Sequence, residues 1–135
     1  MRASKRVVVI DDDPDFVEYT RIILQAASYD ILTASNAADG LALARRTQPD
    51  LVITDVMMSY SLEGISVTRA IRDDPTMNHI PVLVITAIAR TPTEDLFPPG
   101  AQPAPDGFMT KPVAPDALLA AVQRCLNSTS ACRLT

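Results

Sequence analysis

The chain has 135 residues, 47% of them hydrophobic and 21% charged, with a net charge of −4. That length fits one globular domain around one core, and the acidic balance offers no basic surface for a phosphate backbone, which excludes direct nucleic-acid binding as the expectation. No apolar run approaches the roughly 18 residues of a membrane span, and MRASKR followed by VVVI lacks the pattern of a secretory signal, so a soluble cytoplasmic protein is expected.

Short apolar runs alternate with segments of helical period, the pattern of a parallel sheet wrapped by helices, an α/β fold. Strands are predicted at 7–10, 30–34, 51–54, 81–85 and 107–110. VVVI, LVIT and VLVI are continuous and β-branched, as central strands covered on both faces should be. The first helix enters at Pro14 and runs to about Ala27, with Phe16, Thr20, Ile23 and Ala27 on one face. Asn36 caps a second helix, where Ala37, Leu41 and Ala44 form the apolar stripe before Gln48, Pro49 and Asp50 end it. A third helix is predicted over about 64–72, burying Ile65, Thr68 and Ile71. A last one starts near Pro115 and lines up Leu118 or Leu119 with Val122 and Leu126.

Seven of the eleven prolines fall between Pro92 and Pro115. Pro98, Pro99, Pro103 and Pro105 forbid a regular helix there, because each removes a backbone donor and crowds the preceding turn. An irregular connection is therefore expected over about 90–106. After Asn127 the sequence STSACRLT has no apolar period, which predicts a domain over 1–127 and a frayed tail over 128–135. Cys125 and Cys132 lack the spacing of a zinc site or a disulfide framework and are read as thiols.

Most of the strand candidates run straight into polar residues: Asp11, Asp12 and Asp13 after VVVI, Asp55 after LVIT, Thr86 closing VLVIT, and Lys111 with Pro112 after FMT. In an open α/β sheet the carboxyl ends of the strands converge on one rim, so these clusters share one site. Asp13 before Pro14 has an ordinary role as a helix cap. Asp73 and Asp74 before Pro75 show that an acid pair can simply mark a helix end and a turn. What raises Asp11 and Asp12 above that is Asp55, a third carboxylate directly after a buried strand. Two carboxylates at about 4 Å repel by roughly 4 kcal/mol at an effective dielectric of 20, so a cation must compensate. Lys111 is one candidate and a divalent metal the other, Mg²⁺ or Mn²⁺ suiting an all-oxygen site with room for water. With charge neutralised in this way, one carboxylate can act as a nucleophile toward phosphorus, Thr86 donating to one phosphoryl oxygen and Lys111 pairing with another.

VVVIDDDPD, LVITDVMM, PVLVITA and FMTKPV, in this order and at these separations, resemble the receiver domain of two-component response regulators over about 6–127. The resemblance implies a doubly wound, five-stranded parallel sheet of order 2-1-3-4-5, the flavodoxin-like receiver fold. It implies that Asp55 is the phosphoacceptor and that Asp11 and Asp12 hold Mg²⁺ with help from the Met57 backbone carbonyl. Thr86 and Lys111 match the switch hydroxyl and the phosphate-pairing lysine, Phe108 the switch aromatic, and the Lys111–Pro112 bond is expected to be cis. The implied partners are a histidine kinase or phosphotransfer protein upstream and a protein target downstream, with the chain a monomer or weak dimer. From its size, no effector domain is expected to be attached.

Three departures qualify what carries over. The family's proline and glycine after the phosphoacceptor are replaced by Ser59 and Glu63, Gly64 arriving one residue late, so the loop beside the site is expected to be longer by one residue. Phe108 has no hydroxyl, which allows ring rotation but no hydrogen bond from the ring. The helix the family carries between its fourth and fifth strands falls on the proline cluster, so that helix is expected to be short or missing and the segment 90–106 to form a non-standard partner surface. Met57 and Ile88, two residues beyond Asp55 and Thr86, cannot orient a hydrolytic water through their side chains, which predicts slow self-dephosphorylation and no further enzyme activity. A different class of function is a Mg²⁺-dependent phosphatase of the haloacid-dehalogenase type using Asp11 and Asp13, which would need a cap or larger core to hold a substrate. A third is a receiver-like binding module that takes no phosphate.

Overall fold

A computed structural model describes residues 5–55, 63–86 and 106–134, the side chains of 63–66, 86 and 128–134 excepted. The order of elements is β1 (Arg6–Ile10), α1 (Pro14–Ala26), β2 (Asp30–Ala34), α2 (Ala37–Thr47), β3 (Leu51–Thr54), α3 (Glu63–Asp73), β4 (Val82–Thr86), β5 (Gly107–Thr110) and α4 (Pro115–Leu134). All pairings between the strands are parallel and their order is β2-β1-β3-β4-β5. This is the doubly wound sheet expected from the sequence. Among the described residues, no helix is long and apolar enough to cross a membrane.

The central strands are buried on both faces, which is why they read as unbroken apolar runs. Val7, Val9, Leu51, Ile53, Leu83 and Ile85 point to one side, where Leu24 of α1 and Leu118, Val122 and Cys125 of α4 cover them. Val8, Ile10, Val52, Val82 and Val84 point to the other, against Ala44 of α2 and Val67 and Ile71 of α3. Phe108 packs on this second side. Gly40 lets α2 approach β1: a Cβ there would lie 2.4 Å from Ile10 Cδ1.

Local signals set most boundaries. Asn36 accepts from the Asp39 N–H at 2.8 Å to cap α2, and Gln48 ends that helix with φ 49°. Asp74 accepts from the Thr76 N–H at 2.8 Å and its hydroxyl at 2.7 Å, making the expected turn after α3. Hydrogen bonding to the Thr76 hydroxyl and N–H, with help from Arg45, holds the Asp74 carboxyl below its ordinary range.

Several expectations are corrected. Strand β4 begins one residue late, at Val82, since Pro81 has no N–H to give the ladder. On α1 the fully buried apolar residue is Leu24, while Ala27 is exposed at the C-cap. The backbone of α4 stays helical through Leu134, past the predicted end at Asn127. Lack of an apolar stripe does not stop a helix, and no Gly or Pro follows Pro115 to break the ladder. The expected irregular connection over 90–106, with its short or missing helix, lies outside the described residues apart from Asp106.

That aspartate carries a contact the sequence did not announce. Asp106 Oδ2 accepts from Arg72 Nη2 at 2.5 Å and from the Val82 N–H at 2.8 Å, while Arg72 Nη1 donates to the Ile80 carbonyl at 2.9 Å. The pair joins the end of α3 to the first residues of β4 and β5.

Thr20, fully buried on α1, has a hydroxyl with no hydrogen-bond partner among the described residues. Burying an unpaired hydroxyl costs about 1–3 kcal/mol, so Thr20→Val is expected to raise unfolding stability by about 1 kcal/mol, measured as a higher urea midpoint at unchanged slope.

Candidate functional site

Ile10 pairs with Thr54 across β1 and β3, so the next residues, Asp11 and Asp55, emerge side by side. Their backbones extend the ladder: the Asp11 N–H donates to the Ala34 carbonyl at 3.1 Å and the Asp55 N–H to the Ile10 carbonyl at 3.2 Å. Both carboxylates are buried, at 3% and 6% exposure, too deep to stand uncompensated.

Lys111, which follows β5, supplies the compensation. Its Nζ donates to Asp11 Oδ2 at 2.9 Å and to Asp55 Oδ2 at 3.1 Å. The Lys111–Pro112 bond is cis, as expected. Asp11 also accepts from the Asp13 N–H at 2.9 Å. Burial nevertheless pushes the Asp11 carboxyl above its ordinary value, outweighing the Asp13 N–H and Lys111. For Lys111, burial lowers the ammonium, but Asp11 and Asp55 together overcome it and the net shift is upward. The lysine stays charged between the two buried carboxylates.

Asp12 is exposed, at the rim of an open cleft of about 890 Å³ that also touches Asp11, Glu18, Asp39 and Arg46. Asp13 caps α1, its Oδ1 accepting from the Asp15 N–H at 3.0 Å. Thr86 closes β4 with its Cα paired to Thr110, one residue before Lys111. The Thr86 side chain and all of Met57, Ser59 and Ile88 lie outside the described residues, as do the loop-length and metal-carbonyl expectations that rest on them. Among the described residues, no three acidic, histidine or cysteine side chains converge as a ready-made metal cage.

The geometry therefore gathers Asp11, Asp55 and Lys111 at the strand ends of a 2-1-3-4-5 sheet. The family model for the response regulator receiver domain matches residues 7–123. This chain belongs to that family. It is 36% identical over 120 residues to the response regulator PleD of Caulobacter vibrioides, covering 89% of this chain and 26% of that protein. It is 31% identical to protein PilH of Pseudomonas aeruginosa, covering 90% of this chain and 97% of that one. The receiver domain of a sensor histidine kinase from Pseudomonas aeruginosa, described with a magnesium ion coordinated in its active-site cleft, shares the fold with a TM-score of 0.81 at 21% identity. The two cover 93% and 100% of each other's comparison, this chain first. Against PleD, then, the receiver spans about a quarter of the relative's length.

Two residues at the site carried no sequence signal beyond an apolar or aromatic position on α1. The Phe16 ring lies beneath Lys111, with Nζ 4.2 Å from the centroid, and the Tyr19 hydroxyl donates to the Val113 carbonyl at 2.5 Å. Spacing by three residues puts both on one face of α1.

Proposed function

We propose that this receiver accepts a phosphoryl group on Asp55 from a phosphohistidine of a histidine kinase or phosphotransfer protein, and that the aspartyl phosphate changes a surface read by a downstream protein. The observation that carries this reading is the Lys111 ammonium shared between Asp11 and Asp55 at the rim of the sheet. An Asp55 oxygen attacks phosphorus as the bond from phosphorus to the donor nitrogen breaks. Lys111 passes its hydrogen bond from Asp55 to a phosphoryl oxygen, and Thr86 donates to another. Capture of that hydroxyl draws on a two-state equilibrium already present in the fold, with Phe108 as the aromatic that follows it.

Mg²⁺ fits the donor set. The groups are hard carboxylate oxygens, Asp11 and Asp55 lie buried side by side against Lys111, and Mg²⁺ commonly takes one or two carboxylates and keeps several waters. Asp11, Asp12 and Asp55, with the Met57 carbonyl, are the residues that would hold it. When bound, the ion neutralises charge on the incoming phosphoryl oxygens. The phosphatase alternative loses support because Asp13 is engaged in capping α1. We assign no enzyme activity beyond self-phosphorylation from small donors and slow self-dephosphorylation, with the cytoplasm as the site of action.

Intact mass after incubation with acetyl phosphate and Mg²⁺ tests the reading. Gain of one phosphoryl group, absent when the metal is chelated and lost again well slower than on a scale of seconds at neutral pH, is the expected result. An unchanged mass at saturating donor and metal would leave a binding module that takes no phosphate.

A further inference from the structure

Lys111 is held from a direction that neither carboxylate accounts for. Its side chain is 16% exposed, and lysine's flexible stem has many ways to point an ammonium. Phe16 offers its ring face 4.2 Å from Nζ. Tyr19, its ring centroid 6.3 Å from that of Phe16, donates to Val113 two residues further along the loop. One face of α1 thus grips the chain on both sides of Pro112, through the side chain of Lys111 and the backbone of Val113.

We propose that Phe16 and Tyr19 are positioning residues for Lys111, an aromatic clamp that fixes the ammonium for phosphoryl transfer. The inference rests on Asp55 being the phosphoacceptor. Its logic lies in what changes at Asp55. Phosphorylation turns one carboxylate into an acyl phosphate, a mixed anhydride that no longer carries the carboxylate charge, and Lys111 must exchange that partner for a phosphoryl oxygen. A ring face attracts the ammonium without accepting a proton or a phosphoryl group, so it persists through the exchange. Without it, the ammonium keeps its bond to Asp11 through the exchange but loses the ring face that orients it. The Tyr19 hydrogen bond restrains the loop that carries Lys111.

The test compares Phe16→Leu, Phe16→Tyr and Tyr19→Phe in the full chain. The first readout is the rate of phosphorylation at saturating acetyl phosphate and Mg²⁺. The second is acetylation of Lys111 by an amine-reactive ester, followed by peptide mass spectrometry on unphosphorylated protein. Phe16→Leu is expected to slow phosphorylation about tenfold and to speed Lys111 acetylation several-fold, while Phe16→Tyr, which keeps the ring, stays near wild type. Tyr19→Phe is expected to move both readouts in the same direction by a smaller factor. In a Lys111→Met background, Phe16→Leu is expected to slow phosphorylation no further. Equal behaviour of the Leu and Tyr variants in both readouts, or an undiminished effect of Phe16→Leu without Lys111, overturns the proposal. If the wild type takes no phosphate, the phosphoacceptor reading fails by itself, and the acetylation rates still decide whether the rings hold Lys111.

Discussion

Asp55→Asn protein is expected to gain no phosphoryl group from acetyl phosphate and Mg²⁺ under conditions that fully modify the wild type. An amide oxygen is a poor nucleophile, while Asp11 is tied by the Asp13 N–H and Lys111 and Asp13 caps a helix. The substitution also separates chemistry from folding. Asp11 and Asp55 are buried together against one lysine, and the charge on Asp55 adds to the upward pressure on the Asp11 carboxyl that burial begins. Replacing one carboxylate by a neutral group of the same shape relieves that repulsion, so the urea midpoint is expected to stay the same or rise. Intact mass and urea unfolding on the same preparation check both halves. Phosphate uptake that survives Asp55→Asn but disappears in Asp11→Asn would move the nucleophile to β1 and revive the phosphatase alternative.

Those residues were visible in the sequence for a physical reason. A strand buried on both faces is an unbroken apolar run, and the first charge after it must lie at the rim, where water and the ends of neighbouring strands are within reach. The register Ile10 to Thr54 then brings Asp11 beside Asp55. Partners that meet only through tertiary structure were not legible. Phe16 looked like any residue of an apolar stripe, and nothing in its neighbourhood announces an ammonium from beyond β5. Arg72 and Asp106 stand 34 positions apart, and charge pattern alone does not say which arginine meets which aspartate. Helix α4 differs: the apolar period of its sequence ends at Leu126, but the helical backbone continues where no Gly or Pro breaks it. Periodicity reports an apolar stripe, and the end of a stripe is not the end of a helix.

The Arg72–Asp106 pair leads to the largest expected effect on stability. Both side chains are largely buried, at 13% and 8% exposure. Asp106→Ala takes the carboxylate from Arg72 Nη2 and from the Val82 N–H at the buried start of β4, leaving Nη1 on the Ile80 carbonyl. Removing one member of a buried ion pair costs about 3–5 kcal/mol, set against total stabilities of about 5–15 kcal/mol for folded domains. A fall of that size in unfolding free energy is expected in urea at an unchanged slope. Part of the cost is the loss of the Asp106 charge beside a buried guanidinium, so Arg72→Met combined with Asp106→Ala is expected to recover part of the loss. A double variant no more stable than Asp106→Ala would mean that the carboxylate acts mainly through the Val82 N–H, as the clasp between β4 and β5. Asp106→Asn then separates the two roles, because an amide oxygen can still accept from Val82 while offering Arg72 no charge.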